Sequence, residues 1–217
     1  MKEDRRNSEH VTRRDFISCL STLFIMLEKK TLKHTTGNGI ITTKERTMKK
    51  IFSVVLVSCF LLCSGVHAAT YEQAKATQAQ NALKTSNGVA IKNAVNKYSA
   101  QYHVDPKLIH AIILTESGYN HTATSQHGAS GLMQLMPTTF RARNVGSNIY
   151  SIDQNVHAGT KHFAGLMARY NGSTAHALAA YNAGGGAVRK GSPVPSYTRP
   201  YVNKVMKHYE IVKGLNI

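Results

Sequence analysis

Leu108, Ile109, Ile112 and Ile113 recur at the spacing of one helical face, in a run that opens at Asp105-Pro106 and closes on Glu116. Asp105 can cap such a helix, and Pro106 suits its first turn, where the missing N–H costs nothing. The pattern predicts a helix to about Ser117, with Glu116 in its last turn and its stem leaning toward the buried stripe. Ser151-Ile-Asp-Gln154 opens a second helix, with Phe163, Leu166 and Tyr170 on one face and Asn171-Gly172 as the stop. A short helix over Ala175–Tyr181 follows the cap Ser173, and a last one follows Pro200 with Tyr201, Val205, Tyr209 and Val212 on its stripe. No stretch of alternating β-branched residues competes with these and no internal repeat is visible, so the expected fold class is all-α.

Two stretches ahead of this region read as something other than fold. Met48-Lys-Lys50, the apolar run Ile51–Leu62 and the small-residue end Val66-His-Ala68 have the anatomy of a secretory signal peptide over residues 48–68. On that reading residues 1–47 are an upstream extension outside the mature protein. Residues 69–89, rich in Ala, Gln, Lys and Thr, form a loosely held lead-in, helical in part, and residues 90–217 form the domain proper. Thr12-Arg-Arg-Asp-Phe-Ile17 has a twin-arginine look, but the apolar run behind it ends in Glu28-Lys-Lys30 without a cleavage site. Neither apolar run reaches the ~18–20 residues that span a bilayer. The expected product is exported to the periplasm of a Gram-negative bacterium, with no membrane span in its mature form.

Composition then excludes several function classes. Cys19, Cys59 and Cys63 all precede Ala68, so the mature domain has no disulfide, no thiolate metal site and no cysteine nucleophile. Its eight histidines show no pair at ligand spacing beside a carboxylate, and neither metal nor cofactor is expected. From Ala69 onward fifteen Lys and Arg face five Asp and Glu. The cations are scattered singly, which gives no arm or helix to track a phosphate backbone, so nucleic acid is not an expected partner. Scattered cations read first as a solvated basic face, and attraction to an acidic matrix such as a bacterial wall is the functional alternative.

The five carboxylates are Glu72, Asp105, Glu116, Asp153 and Glu210. Glu116 alone combines an apolar approach, Ile112-Ile-Leu114, with a small-residue exit at Ser117-Gly118. A carboxyl held against apolar surface keeps its proton to higher pH and so becomes a proton donor. Glycoside hydrolases usually need two carboxylates, one as acid and one as nucleophile or base. Here Asp105 and Asp153 sit at helix starts and Glu72 and Glu210 near the ends, which leaves a one-carboxyl mechanism.

Glu116-Ser117, Ala123-x-Ser125-x-x-Gly128-Ala129-x-Gly131-Leu132-Met133-Gln134, Asn155-Val156-x-x-Gly159 and Ala179-Ala180-Tyr181-Asn182-Ala183-Gly184 stand in that order. Together they resemble the soluble lytic transglycosylase family with the lysozyme-like fold, over about residues 90–212. The resemblance implies an enzyme acting on the glycan strands of peptidoglycan. It would cleave between N-acetylmuramic acid and N-acetylglucosamine and leave a 1,6-anhydro end. It also implies Glu116 as the single acid and base, with Ser117 and Ser125 supporting the site and Met133 and Gln134 lining the sugar cleft. Tyr181 would flank the cleaved bond, Asn182 would bind substrate, and Tyr201 would hydrogen-bond near Glu116. Between the two methionines at helical spacing, Met133 is expected in the cleft and Met136 in the core.

Two positions depart from the family pattern. His121 follows Asn120 where a proline is common, and Tyr197 precedes Thr198 where an acidic residue is common. Small exported members often open the wall locally for secretion, conjugation or pilus machines, which makes such a complex a further expected partner. A goose-type hydrolytic lysozyme, with Asp153 as its second acid, and a non-catalytic wall-binding scaffold protein remain as alternatives.

Overall fold

In the computed structural model, which describes residues 69–217, Asp105 caps its helix as expected: its carboxylate accepts from the Lys107 amide at 2.8 Å and Pro106 takes the first turn. The signal peptide and upstream extension lie outside the described residues. The helices are α1 (69–83), α2 (Ser86–Tyr102), α3 (Pro106–Glu116), α4 (Pro137–Arg141), α5 (Ile152–Arg169), α6 (Thr174–Ala183) and α7 (Arg199–Lys213), with a 3-10 turn over Ser196–Thr198 ahead of α7. Among the described residues there is no strand. The loop between α3 and α4 is tied instead by single antiparallel bridges, Thr124 to Ser130 and Ser130 to Leu135.

The predicted helix starts and stops hold for α3 and α5. Ser151 accepts from the Gln154 amide to open α5, and Asn171 and Gly172, both with positive φ, turn the chain away from it. Helix α6 runs Thr174–Ala183, a little beyond the predicted Ala175–Tyr181, and α7 starts at Arg199 with Pro200 in its first turn. The α6 start departs from the predicted chemistry. Ser173 makes no cap bond, because its hydroxyl pairs with His176 Nδ1 at 2.7 Å.

Two pairs of helices carry the core between them. Helix α3 is apolar almost all round, with Leu108 through Leu114 buried, and packs against α7, while α2 packs along α5. Phe163, Ile91, Ile109, Ile112, Ile113 and Leu178 fill the interior.

The lead-in is a correction to the sequence reading. Residues 69–83 form a docked helix, with Ala79 and Leu83 buried in the core. Its Tyr71 hydroxyl pairs with His208 Nε2 of α7 at 3.0 Å, and Glu72 pairs with Lys207 at 3.3 Å. Its Ala- and Gln-rich composition gives little apolar signal, because just a few of its side chains face inward.

Candidate active site

The last turn of α3 delivers Glu116 to the surface from a helix whose preceding turn is completely buried. The carboxyl itself is half-buried. Burial pushes it above the usual carboxylate range, against the opposing pull of the Tyr201 hydroxyl and the nearby Lys204 charge. Tyr201 lies in the first turn of α7 and donates to Glu116 Oε1 at 2.6 Å. Because α3 and α7 pack together, the acid and this phenol are held by two rigid helices.

Tyr181, from α6, completes the near environment. Its hydroxyl donates to the Met133 carbonyl at 2.8 Å, and the negative charge of Glu116, added to burial, holds its proton well above the usual phenol range. Its ring packs edge-on to Phe163 and 5.5 Å from the His162 ring. Burial and the charge of Arg143 push His162 down to about 4, so it is neutral near pH 7.

The other four carboxylates are engaged elsewhere. Asp105 caps α3 and accepts from Tyr209, while Asp153 accepts from Tyr98 at 2.8 Å and lies 3.7 Å from Lys97. Glu72 pairs with Lys207, and Glu210 with Lys213 at 2.8 Å. Glu116 is therefore the one described carboxylate with a buried stem, a tyrosine donor and no ion pair within 4 Å. Among the described residues no group of His, Cys, Asp and Glu could hold a metal ion.

The remaining predicted residues divide by what they touch. Ser117 back-bonds to the Ile113 carbonyl at 3.2 Å, and Ser125 accepts from the Ala129 amide at 3.0 Å to close its own turn; neither reaches Glu116. Gln134 donates to the carbonyls of Ala123 and Gly131 at 3.0 and 2.9 Å, which folds the loop that carries it. Asn182 is exposed at the end of α6.

The two methionines are reversed from the sequence reading. Met133 is fully buried and Met136 is 43% exposed. The reason is Gly159 of α5: a Cβ there would meet Met133 Sδ at 2.2 Å, so the missing side chain makes the slot that the thioether fills. Met133 reaches the site through its backbone carbonyl.

Asn155 is the residue whose part the sequence reading left unassigned. Buried on α5, it accepts from the Met133 amide at 2.8 Å and donates to the carbonyls of Ser130 and Ile149 at 3.1 and 2.8 Å. Gly131, at φ 80°, can approach it because a Cβ would meet Asn155 Nδ2 at 2.2 Å. The available signal was an amide beside Val156 and Gly159 on the inward, largely apolar face of an amphipathic helix.

Residues 93–193 match the sequence profile of the Transglycosylase SLT domain. The chain is 39% identical over 116 residues to a transglycosylase of Enterobacteria phage PRD1, covering 54% of this chain and 42% of that one. It is 34% identical over 113 residues to membrane-bound lytic murein transglycosylase C of Actinobacillus pleuropneumoniae, covering 44% and 31%. Among solved structures it resembles an inactive mutant of the lytic transglycosylase Slt of Pseudomonas aeruginosa, with TM-score 0.51, 27% identity and coverage of 55% and 23%. It also resembles the 70 kDa soluble lytic transglycosylase of Escherichia coli, with TM-score 0.51, 25% identity and coverage of 56% and 24%. The chain thus spans less than half the length of these relatives, and it shares the helical lysozyme-like architecture of the solved structures.

Proposed function

We propose, from the match of residues 93–193 to the Transglycosylase SLT domain, that the chain is a lytic transglycosylase of the peptidoglycan glycan strand. It cleaves the β-1,4 bond between N-acetylmuramic acid and N-acetylglucosamine, with Glu116 as acid and then base. The observation that carries this reading is the setting of Glu116: a carboxyl that burial makes hold its proton to higher pH than usual, with every other described carboxylate engaged elsewhere by a tyrosine or a lysine.

The steps follow from that setting. Protonated Glu116 gives its proton to the glycosidic oxygen, and the C1–O bond breaks as the substrate's own N-acetyl oxygen supports the cation at C1. The carboxylate that results accepts the Tyr201 O–H, which steadies it between the two proton transfers. It then removes the C6 hydroxyl proton, O6 bonds to C1, and the acid returns to its starting state with no water consumed. Tyr181, anchored on the Met133 carbonyl, forms the wall beside the cleaved bond.

Purified sacculi digested with residues 69–217 are expected to release muropeptides with anhydro ends, read by mass. Glu116→Gln should lower that release by about 10²–10⁴, the worth of one placed proton donor. Reducing ends in place of anhydro rings would move the enzyme to hydrolysis, a reading disfavoured by Asp153, whose carboxylate is taken up by Tyr98 and Lys97. Unchanged release from the Gln variant would remove Glu116 as the acid, and no release by the wild type, with its cellular role kept in the Gln variant, would leave the non-catalytic wall-binding scaffold.

The site of action that goes with this reading is the periplasm, and the task is local wall opening for a secretion, conjugation or pilus machine. The secretory pattern at 48–68 supports the first, and the second is taken from the family resemblance alone. Cells carrying only the Glu116→Gln protein should lose assembly of the machine concerned, scored by transfer or secretion.

A further inference from the structure

Tyr197 is 65% exposed, more than any other large apolar side chain among the described residues. One open apolar side chain is ordinary, so its surroundings decide what it means. The two other exposed tyrosines are already engaged. Tyr71 hydrogen-bonds His208 and lies under the Lys207 ammonium at 4.8 Å, and the Tyr150 hydroxyl pairs with Thr124 at 2.9 Å. Tyr197 has no hydrogen bond, ring contact or cation among the described residues, so both its face and its hydroxyl are open to a ligand. The backbone beneath it is fixed. It lies in the 3-10 turn Ser196–Thr198, where the Thr198 amide and hydroxyl both donate to the Pro195 carbonyl, at 3.0 and 2.7 Å. Thr198 is fully buried, Pro195 and Pro200 restrict φ on either side, and the turn runs unbroken into α7. An exposed ring on so rigid a support loses little freedom when something binds to it.

The position ties this ring to the acid. The turn packs against both α6 and α7, the helices that bring Tyr181 and Tyr201 to Glu116. Tyr197 precedes Tyr201 by four residues of one continuous helical run, so the two side chains share a face, with Cβ atoms about 6 Å apart. Tyr201 donates to Glu116 Oε1 at 2.6 Å, which leaves Tyr197 one step outward from the acid on the same wall. That step is comparable to one sugar of a β-1,4 strand.

We propose that Tyr197 is a stacking platform for the hexosamine next to the cleaved bond and so seats the glycan strand over Glu116. The inference deepens the proposed reaction and rests on it for the class of ligand. The C–H groups on one face of a pyranose are apolar and slightly positive, which suits the negative face of a tyrosine ring, and the ring's hydroxyl can bond a sugar hydroxyl at its edge. The chain has no tryptophan, and the described phenylalanines, Phe140 and Phe163, are buried, so an exposed ring for this purpose has to be a tyrosine. An acidic side chain at position 197, as in the family pattern, offers no such face. Because a ring reads the face of the sugar and not its charge, the contact does not depend on the peptide stem.

Tyr197→Trp places a sole tryptophan in residues 69–217 and makes the platform its own reporter. In the Glu116→Gln background, where binding is read without cleavage, its emission should move to the blue and saturate as an N-acetylglucosamine oligomer is added. Tyr197→Ala in the same background should weaken binding of that oligomer about three- to tenfold, the worth of one aromatic contact, with Tyr197→Phe keeping most of the affinity. On strands from sacculi, Tyr197→Ala with Glu116 intact should raise KM by a similar factor, the loss falling in KM more than in kcat. Emission that does not respond, a Tyr197→Phe variant as weak as Tyr197→Ala, or an unchanged KM in an Ala variant that melts with the wild type would overturn the platform. A response to stem-bearing strands without one to the oligomer would put peptide on the ring and overturn it as well. Failure of the wild type to form anhydro ends while the tryptophan still senses the oligomer would instead refute the reaction, so the two failures are distinguishable.

Discussion

On the proposed reaction, Glu116 and Tyr201 set the pH behaviour of the site between them. The phenol donates preferentially to the charged carboxylate, so it lowers a pKa that burial raises. Tyr201→Phe removes the lowering contact, and the acid form then persists to higher pH. The alkaline limb of the kcat/KM profile should shift upward, with the rate reduced about tenfold by loss of one charge-assisted bond. Stability responds with its own sign. A carboxyl whose folded pKa is raised gives a native state that resists ionisation, so its favourable contribution is complete below about pH 4 and is lost as pH rises through the folded value. Glu116→Gln cannot ionise and should melt above the wild type at pH 7, the gap closing near pH 4 in a thermal scan. Glu116 was legible as the candidate acid because an apolar approach and a small-residue exit surround it, and the structure shows the burial that this pattern implies. The identity of its donor was legible through the family resemblance alone, since no spacing rule links residue 116 to residue 201.

At the scale of elements, α5 acts on the site without touching the acid. Asn155 holds three backbone groups of the loop before α4 and of the segment before α5, and Gly159 opens the slot for Met133. Asn155→Ala would strand those groups in the interior and should lower Tm by about 5–10 °C, with a matching loss of activity. Gly159→Ala should cost about 1–3 kcal/mol by driving a methyl into the Met133 thioether, and Met133→Ala on top of it should recover part of that loss in a double-mutant melt. The helix starts were readable because Asp105-Pro106 and Ser151 carry their chemistry locally. Helix α2 was not, because Ile91, Val95 and Tyr98 are thinly spread among Ala, Asn and Lys, and just the partner α5 makes that stripe a buried face. The methionine exchange was beyond reach for a similar reason, since a slot made by an absent side chain on another helix leaves no trace at the residue that fills it.

Across the whole molecule, acid tolerance should be governed by histidine. His110, His162 and His208 are each pushed by burial from 6.5 to about 4, so the native state holds fewer protons than the unfolded chain in that window. Stability is then complete above about pH 6.5 and falls as pH drops toward 4, opposite in sign to the effect of Glu116. Tm should decrease steadily over that range, and a double variant His208→Gln, His162→Gln should flatten the slope. Truncating α1 at residue 84 removes the buried Ala79 and Leu83 and should lower Tm by about 5 °C. Helix α1 also grips the acid's own turn from both sides. Thr115 shares His208 with Tyr71, and Gln78 donates to the Gly118 carbonyl at 3.3 Å. A clone trimmed to the segment that carries the recognisable motifs would thus discard the buttress behind its own acid.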